Sequence, residues 1–246
     1  MKNYRMSRRR LWIFGVVSVS MALVCARLGV WQLHRLDQRR AHNREAMARL
    51  AMAPVTLSSA TVPMAYRRVR ARGVFDGAHP VIEVFRSREG TPGVVVVSPL
   101  RLDDGSAVFV ERGWVASADG RSLASRRWAG GDSVVVTGWV LPVGSPRRAR
   151  GSGSPSPSSW PRYVRAVDPS VLQSDLLYPV VPFVVRANRV TPPDSNLWLW
   201  REPVFDDGPH LGYAIQWFAF ATIALVGFGV FAYRSGRSDG VTAPTG

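Results

Sequence analysis

LGYAIQWFAFATIALVGFGVFAY, Leu211 to Tyr233, runs for 23 residues without Asp, Glu, Lys, Arg or His. As a helix rising about 1.5 Å per residue it spans roughly 34 Å, enough to cross a hydrocarbon layer of about 30 Å with some tilt. A second uncharged run, Leu11 to Ala26, has 16 residues. Continued through Arg27 to Trp31 it reaches 21 residues and roughly 31 Å, with Arg27 snorkelling to the interface. The chain is therefore read as a membrane protein with transmembrane helices at 11–31 and 210–233.

Two other readings of the first run are a cleaved signal peptide after the Arg-rich start and a lipoprotein box ending at Cys25. The residue before that cysteine is Val24, where a small residue is wanted. Downstream, Leu28-Gly-Val-Trp-Gln-Leu33 continues without the turn residues that favour cleavage. A retained span fits better. Since Cys25 is the only cysteine, an intramolecular disulfide and a cysteine metal cage are both excluded.

Cations flank the first run on both sides, so short-range charge bias does not orient it. The 184 residues between the runs form a segment too long for that bias to govern. This favours cytoplasmic ends at 1–10 and 234–246 with the middle outside. Of the formal net charge of +15, the first ten residues hold +5, the segment after Tyr233 +1 and the remainder +9. A domain outside the cytoplasm meets no nucleic acid, so the basic balance does not argue for that partner. Lys2 is the only lysine. The preference for Arg reads as compositional bias before it reads as selection for forked contacts. The functional alternative is an Arg-rich surface facing anionic lipid or another acidic ligand.

Residues 32–53 lack Pro and Gly and should extend the first helix beyond the bilayer until Pro54. The texture then changes. Tyr66–Phe75, Val81–Phe85, Val94–Val97, Ser106–Val115 and Ser133–Leu141 are β-branched or alternating, separated by Gly, Pro and Asp turn signals. Tyr163–Val167 and Phe183–Ala187 read as further strands. Between them Asp168 is placed to N-cap a short helix with Pro169 at its first position. Residues 54–209 are thus expected to be a mostly β extracytoplasmic domain, an antiparallel sandwich or small barrel with minor helix. The stretch PVGSPRRARGSGSPSPSS, 142–159, is low in complexity and reads as a mobile loop.

Enzyme signatures are scarce. No phosphate-cradling Gly-Lys-Ser/Thr loop and no His-Glu-x-x-His pair occurs, and His34, His42, His79 and His210 lack metal-ligand spacing. A non-enzymatic role follows. The informative residues flank the membrane. His210, Tyr213, Ala214 and Trp217 fall at i, i+3, i+4 and i+7 on the second span, with Gln216 a polar group inside the apolar run. Gly29, Trp31 and Gln32 occupy the corresponding end of the first span, at similar depth. Interfacial anchoring and helix packing account for much of this, with Gln32 and Gln216 bonding across the pair. A neutral imidazole at a membrane boundary is also a candidate haem-iron ligand.

The first of these stretches, Arg27-Leu-Gly-Val-Trp-Gln-Leu-His-Arg-Leu36, resembles one signature of the Surfeit locus protein family of cytochrome c oxidase assembly factors. His210-Leu-Gly-Tyr-Ala-Ile-Gln-Trp-Phe218 resembles its other signature, and Gly73, Pro99-Leu100, Asp104-Gly105, Arg112-Gly-Trp-Val115 and Thr137-Gly138 follow the family's order. The resemblance implies a two-span protein with both ends inside and a β-rich domain outside, assisting haem-copper oxidase assembly through haem a handling for the catalytic subunit; the ten residues ahead of the first span leave little room for a transit peptide, so the plasma membrane is expected. His210 is then the candidate iron ligand, Tyr213, Gln216, Trp217, Trp31 and Gln32 the surrounding cofactor or helix contacts, and haem a a transient cofactor, since no second axial ligand is evident. The partners implied are the oxidase catalytic subunit, haem a synthase and the lipid bilayer. Gly73, Gly113 and Gly138 read as structural, placed where a strand bends or another backbone comes close. The competing reading is a membrane-anchored β-domain that binds an acidic envelope ligand or partner protein.

Overall fold

The computed structural model describes residues 8–117, 131–142, 160–193 and 196–237. The insert read as a mobile loop lies outside the described residues except for Pro142, as do residues 1–7 and 238–246. The chain divides into two compact units: Met1–Arg44 with Phe205–Gly246, and Glu45–Val204.

The first unit is built on two helices. The longer, α1, is one uninterrupted helix, Arg8–Ala51, so the span and its extension are continuous and stop ahead of Pro54. The final helix, α3, is His210–Arg237, longer by a turn than the apolar run alone. Both are long and apolar enough to cross a membrane. Only 28% and 11% of their most apolar windows are buried within the protein, where a core helix of a soluble domain would be mostly covered. Two such helices flanking a β unit suggest a membrane protein.

Among the described residues the second unit holds eight strands: β1 Val55–Thr56, β2 Arg68–Phe75, β3 Val81–Arg88, β4 Thr91–Leu102, β5 Ala107–Ala116, β6 Ser133–Val140, β7 Arg162–Val164 and β8 Val180–Thr191. A short helix, α2 (Pro169–Leu172), precedes β8, and Asp168 caps it by accepting from the Ser170 amide, with Pro169 in the first turn. The strand order is β1-β2-β6-β8-β5-β4-β3-β7 with a further pairing of β2 to β4. Strands β2, β4, β5, β8 and β6 therefore form a closed ring, the five-stranded Greek-key barrel architecture to which the OB-fold belongs.

The sheet is mixed, which corrects the antiparallel expectation. Around the ring β2–β4, β4–β5, β6–β8 and β2–β6 are antiparallel and β5–β8 is parallel. The reason is parity. An odd number of strands cannot alternate direction all the way around a closed ring, so at least one neighbouring pair must run parallel. Outside the ring, β1 beside β2 and β7 beside β3 are parallel as well.

Burial explains the sequence texture. In β2 the arginines Arg70 and Arg72 point out while Val69, Ala71 and Gly73 point in, the period of two that a half-buried strand requires. Val69, Ala71, Val110, Val136, Val185 and Ala187 belong to the barrel interior. In β4, by contrast, Val95 and Val97 join a second cluster with Phe109 and Leu172, while Val94 and Val96 join a third with Ile82 and Leu197. Both faces of that strand are covered, hence an unbroken valine run instead of alternation.

Closure depends on close backbone approach at two glycines. Gly73 pairs with Leu102 on β4 and with Val134 on β6, and a Cβ there would collide with the Arg101 carbonyl. At Gly138 a Cβ would collide with the Arg186 carbonyl. Gly113 lies beside Trp198, whose backbone exchanges two hydrogen bonds with Trp114 at 2.8 and 2.9 Å. All three structural glycines thus stand where another backbone comes near.

Two carboxylates hold loops of this unit. Asp104 in the β4–β5 turn accepts from the Ser106 hydroxyl (2.6 Å), the Ser106 amide (3.0 Å) and the Ser59 amide (2.6 Å). The Ser106 hydroxyl and the Ser59 amide together keep its carboxyl well below the ordinary value. Burial by itself raises the Asp76 carboxyl. Hydrogen bonds from the Tyr178 hydroxyl (2.7 Å), His79 Nδ1 (2.7 Å) and the Ala78 amide (2.9 Å) outweigh it and leave Asp76 lowered.

Two expectations follow. Gly73→Ala forces β2 off β4 and should lower the stability of the β unit by about 1–3 kcal/mol, the usual cost of overpacking, read as a lower urea midpoint of the full chain in detergent. The lowered carboxyls contribute stability that is complete above the unfolded value near pH 4 and is lost as pH falls through their folded values. Asp104→Asn should flatten the decline in urea midpoint below about pH 4 and leave the midpoint's pH dependence near neutrality unchanged.

Candidate functional site

The helices of the first unit pack along one seam. Along α1 the seam runs through Gly15, Ser18, Ala22, Cys25, Gly29, Gln32 and Leu36, and along α3 through His210, Ala214, Trp217, Ala221, Ala224 and Phe228, all of them buried or half-buried. Both sets recur at alternating steps of three and four, an average of 3.5, the repeat that keeps two helices in contact along their length. The α1 side is made of small residues, which lets a partner backbone approach. Rings from α3 fill the space: a Cβ on Gly15 would lie 2.7 Å from the Phe228 ring, and one on Gly29 2.8 Å from Phe218.

At one end of this seam the packing turns polar. His210, the first residue of α3, donates from Nδ1 to Gln32 Oε1 at 2.9 Å. An amide oxygen can only accept, so the bond fixes the proton on Nδ1 and leaves the Nε2 lone pair available. A hydrogen bond to the non-ligating nitrogen is the arrangement that orients metal-binding histidines. Next to the ring stands Gly208 at φ +69°, where even a Cβ would come within 3.7 Å of Nε2; with glycine there, the Nε2 edge stays open on that side.

The expected depth match between the two polar clusters is met by His210 and Gln32. Other residues fall differently. Trp217 lies half-buried in the seam, its ring edge-on to Phe220 with centroids 6.0 Å apart. Tyr213 and Trp31 are about half exposed, at 47% and 51%. Gln216 is exposed, and no hydrogen bond joins it to Gln32. The seam runs through 210, 214 and 217, so position 213 steps to the side and 216 points away. The acceptor of Gln32 goes to His210 instead.

Among the described residues, no group of three His, Cys, Asp or Glu is placed to hold a bare metal ion. An iron that arrives with four equatorial nitrogens needs only one or two protein atoms. One oriented imidazole with an open Nε2 edge fits that requirement and no larger one.

Sequence reading missed the buried charges of the β unit. Arg112 is the extra residue where the β4–β5 register shifts, and the bulge turns its side chain inward, with the guanidinium 4.3 Å over the Phe75 ring. Glu111 accepts from Arg186 Nε at 2.5 Å, and Arg186 also stacks at 4.4 Å on Trp200. Burial pushes the Glu111 carboxyl up; Arg186 opposes this and the Glu83 carboxylate adds to it. The available signal was Glu111-Arg112 inside a β-branched run. Among the described residues of this unit six arginines lie over aromatic rings, so part of the Arg preference has a structural use that lysine would serve less well.

Comparison with known proteins gives a consistent result. The model of the SURF1 family matches residues 19–222. A SURF1-like protein of Monosiga brevicollis is 26% identical over 241 residues, covering 92% of this chain and 90% of that protein. An uncharacterized SURF1-like protein of Mycobacterium tuberculosis is 27% identical over 241 residues, covering 92% and 85%. A SURF1-like protein of Dictyostelium discoideum is 33% identical over 103 residues, 37% of this chain and 38% of that protein.

Gln32→Leu keeps the side-chain bulk and removes the acceptor. In the full chain labelled with 15N-histidine, the ratio of Nδ1–H to Nε2–H tautomer at His210 should fall about two- to tenfold, the worth of one intramolecular hydrogen bond. An unchanged ratio would show that the bond does not set the tautomer.

Proposed function

Because this chain belongs to the SURF1 family, we propose that it is a non-enzymatic assembly factor for a haem-copper cytochrome c oxidase, presenting haem a to the catalytic subunit at the outer membrane interface. The observation that carries the reading is the hydrogen bond from His210 to Gln32. It leaves one imidazole nitrogen free to ligate at the end of the helix pair. Haem a, when bound, supplies the iron and macrocycle that the oxidase site requires.

In this reading Gln32 holds the His210 proton on Nδ1, and Nε2 is the atom that would hold the iron. Trp217 and the small residues of the seam fix the helix that carries His210. Tyr213, Trp31 and Gln216, exposed on the pair, are free to meet the macrocycle or a neighbouring membrane helix. The short ends lie in the cytoplasm and the β unit outside the plasma membrane. The oxidase catalytic subunit and haem a synthase are the protein partners.

The test is a reduced-minus-oxidised spectrum of membranes from cells with the intact chain, without it, and with His210→Ala, normalised to oxidase catalytic subunit. Haem a per subunit should fall severalfold without the chain, His210→Ala should reproduce most of the loss, and Gln32→Leu should cause a smaller one. Normal haem a in the strain lacking the chain would overturn the assembly role. Normal haem a with His210→Ala alone would remove His210 from it.

A further inference from the structure

We infer that Asn43, Arg39 and Arg40 are positioning residues, latching the segment that leads into α3 onto α1 and so setting where His210 meets Gln32. The purpose of that latch rests on the function proposed above; its geometry does not.

Asn43 continues the α1 seam seven residues beyond Leu36 and is 6% exposed. Its Nδ2 donates to the Asp206 carbonyl at 2.8 Å, and Arg39 Nε donates to the same carbonyl at 3.3 Å. Arg39 Nη2 also lies 3.6 Å from an Asp206 carboxylate oxygen, and Arg40 Nε donates to Asp207 Oδ2 at 2.9 Å. Three side chains from two turns of α1 thus converge on two consecutive residues.

The choice of Asn at this seam position is informative. The other buried positions of the seam carry Gly, Ser, Ala, Cys or Leu. Asn43 Oδ1 is buried without a partner, which is costly, and an apolar residue would avoid that cost. A buried polar side chain in a helix seam is a recognised means of fixing register at the expense of stability. The ion pairs are about half exposed and add little stability of their own; what they constrain is position.

The distances make the constraint effective. Gln32 and Asn43 stand 11 residues apart on α1, about 16 Å along its axis. The four residues from Asp206 to His210 reach at most roughly 14 Å. With Asp206 held beside Asn43, α3 can slide only a little before His210 loses Gln32.

The experiment uses the full chain in micelles with 15N-histidine, reading the His210 tautomer in Asn43→Ala, Arg40→Asp, Asp207→Arg and the Arg40→Asp/Asp207→Arg double variant. Each single change should lower the Nδ1–H to Nε2–H ratio about two- to tenfold, and the double variant should restore most of it by re-forming the pair in reverse. Unchanged His210 signals in Asn43→Ala and Asp207→Arg would overturn the latch. If either variant fails to fold, Asp207→Asn, which keeps size and removes charge, gives the same reading. Haem a per oxidase subunit is measured in the same variants. A tautomer shift with normal haem a keeps the latch and removes the orientation of His210 from the assembly role, whereas lost haem a with an unshifted tautomer sinks the latch.

Discussion

A ring of strands closes only where one strand can pair with a neighbour on each side, and in this chain closure falls to β2. Gly73 lies where β2 is bonded to β4 and β6 at once. Everything else in the barrel follows from that contact. The valine-rich half of β4 keeps β5 on one edge and takes β3 on the other in place of β2, and one parallel pair is required because five strands cannot alternate around a circle; here it is β5–β8. The bulge at Arg112 then directs a guanidinium onto Phe75, one of the residues that line the interior.

The helix pair obeys a different constraint. For two helices apolar enough to cross a membrane, the hydrophobic effect would not drive association in lipid, which would depend on close fit and on polar groups that find each other. Gly15, Ser18, Ala22, Cys25 and Gly29 supply the fit, and His210 with Gln32 supplies a polar contact at the end of it. A histidine at the first turn of α3 leaves its imidazole beyond the tightly packed part of the seam, where it can be both oriented and approached.

Much of this was legible in the sequence. Length and charge placement located both helices, and β-branched runs between turn residues located seven of the strands, because those signals depend on local burial alone. Matching the outer ends of the two spans puts the clusters around His210 and Gln32 at similar depth, though the sequence pairs Gln32 with Gln216, where the structure pairs it with His210. What failed to show was anything set by three-dimensional closure. No local pattern distinguishes a ring of five strands from an open antiparallel sheet, so the parallel pair β5–β8 was missed. Tyr213 was grouped with His210 because i+3 is adjacent on an isolated helix, but the seam runs at 3.5 residues and passes it by. Arg39, Arg40 and Asn43 read as an ordinary solvated extension, since their partners, Asp206 and Asp207, are over 160 residues away.

Two helices long and apolar enough to cross a membrane would confine chains to a surface, where they would meet at high local concentration, and the ends of the sheet have a consequence there. A long, flat, unpaired strand would invite a neighbour's strand to add to it. Here the sheet ends in β1, of two residues, and β7, of three, too short to template a stable pairing. The part of β3 beyond β7 is interrupted by the register shift between Glu83 and Arg86, with Phe85 at φ +59°, so its hydrogen-bonding groups do not line up for another strand. The β unit therefore resists strand-to-strand aggregation by geometry at its margins, independently of how stable its core is.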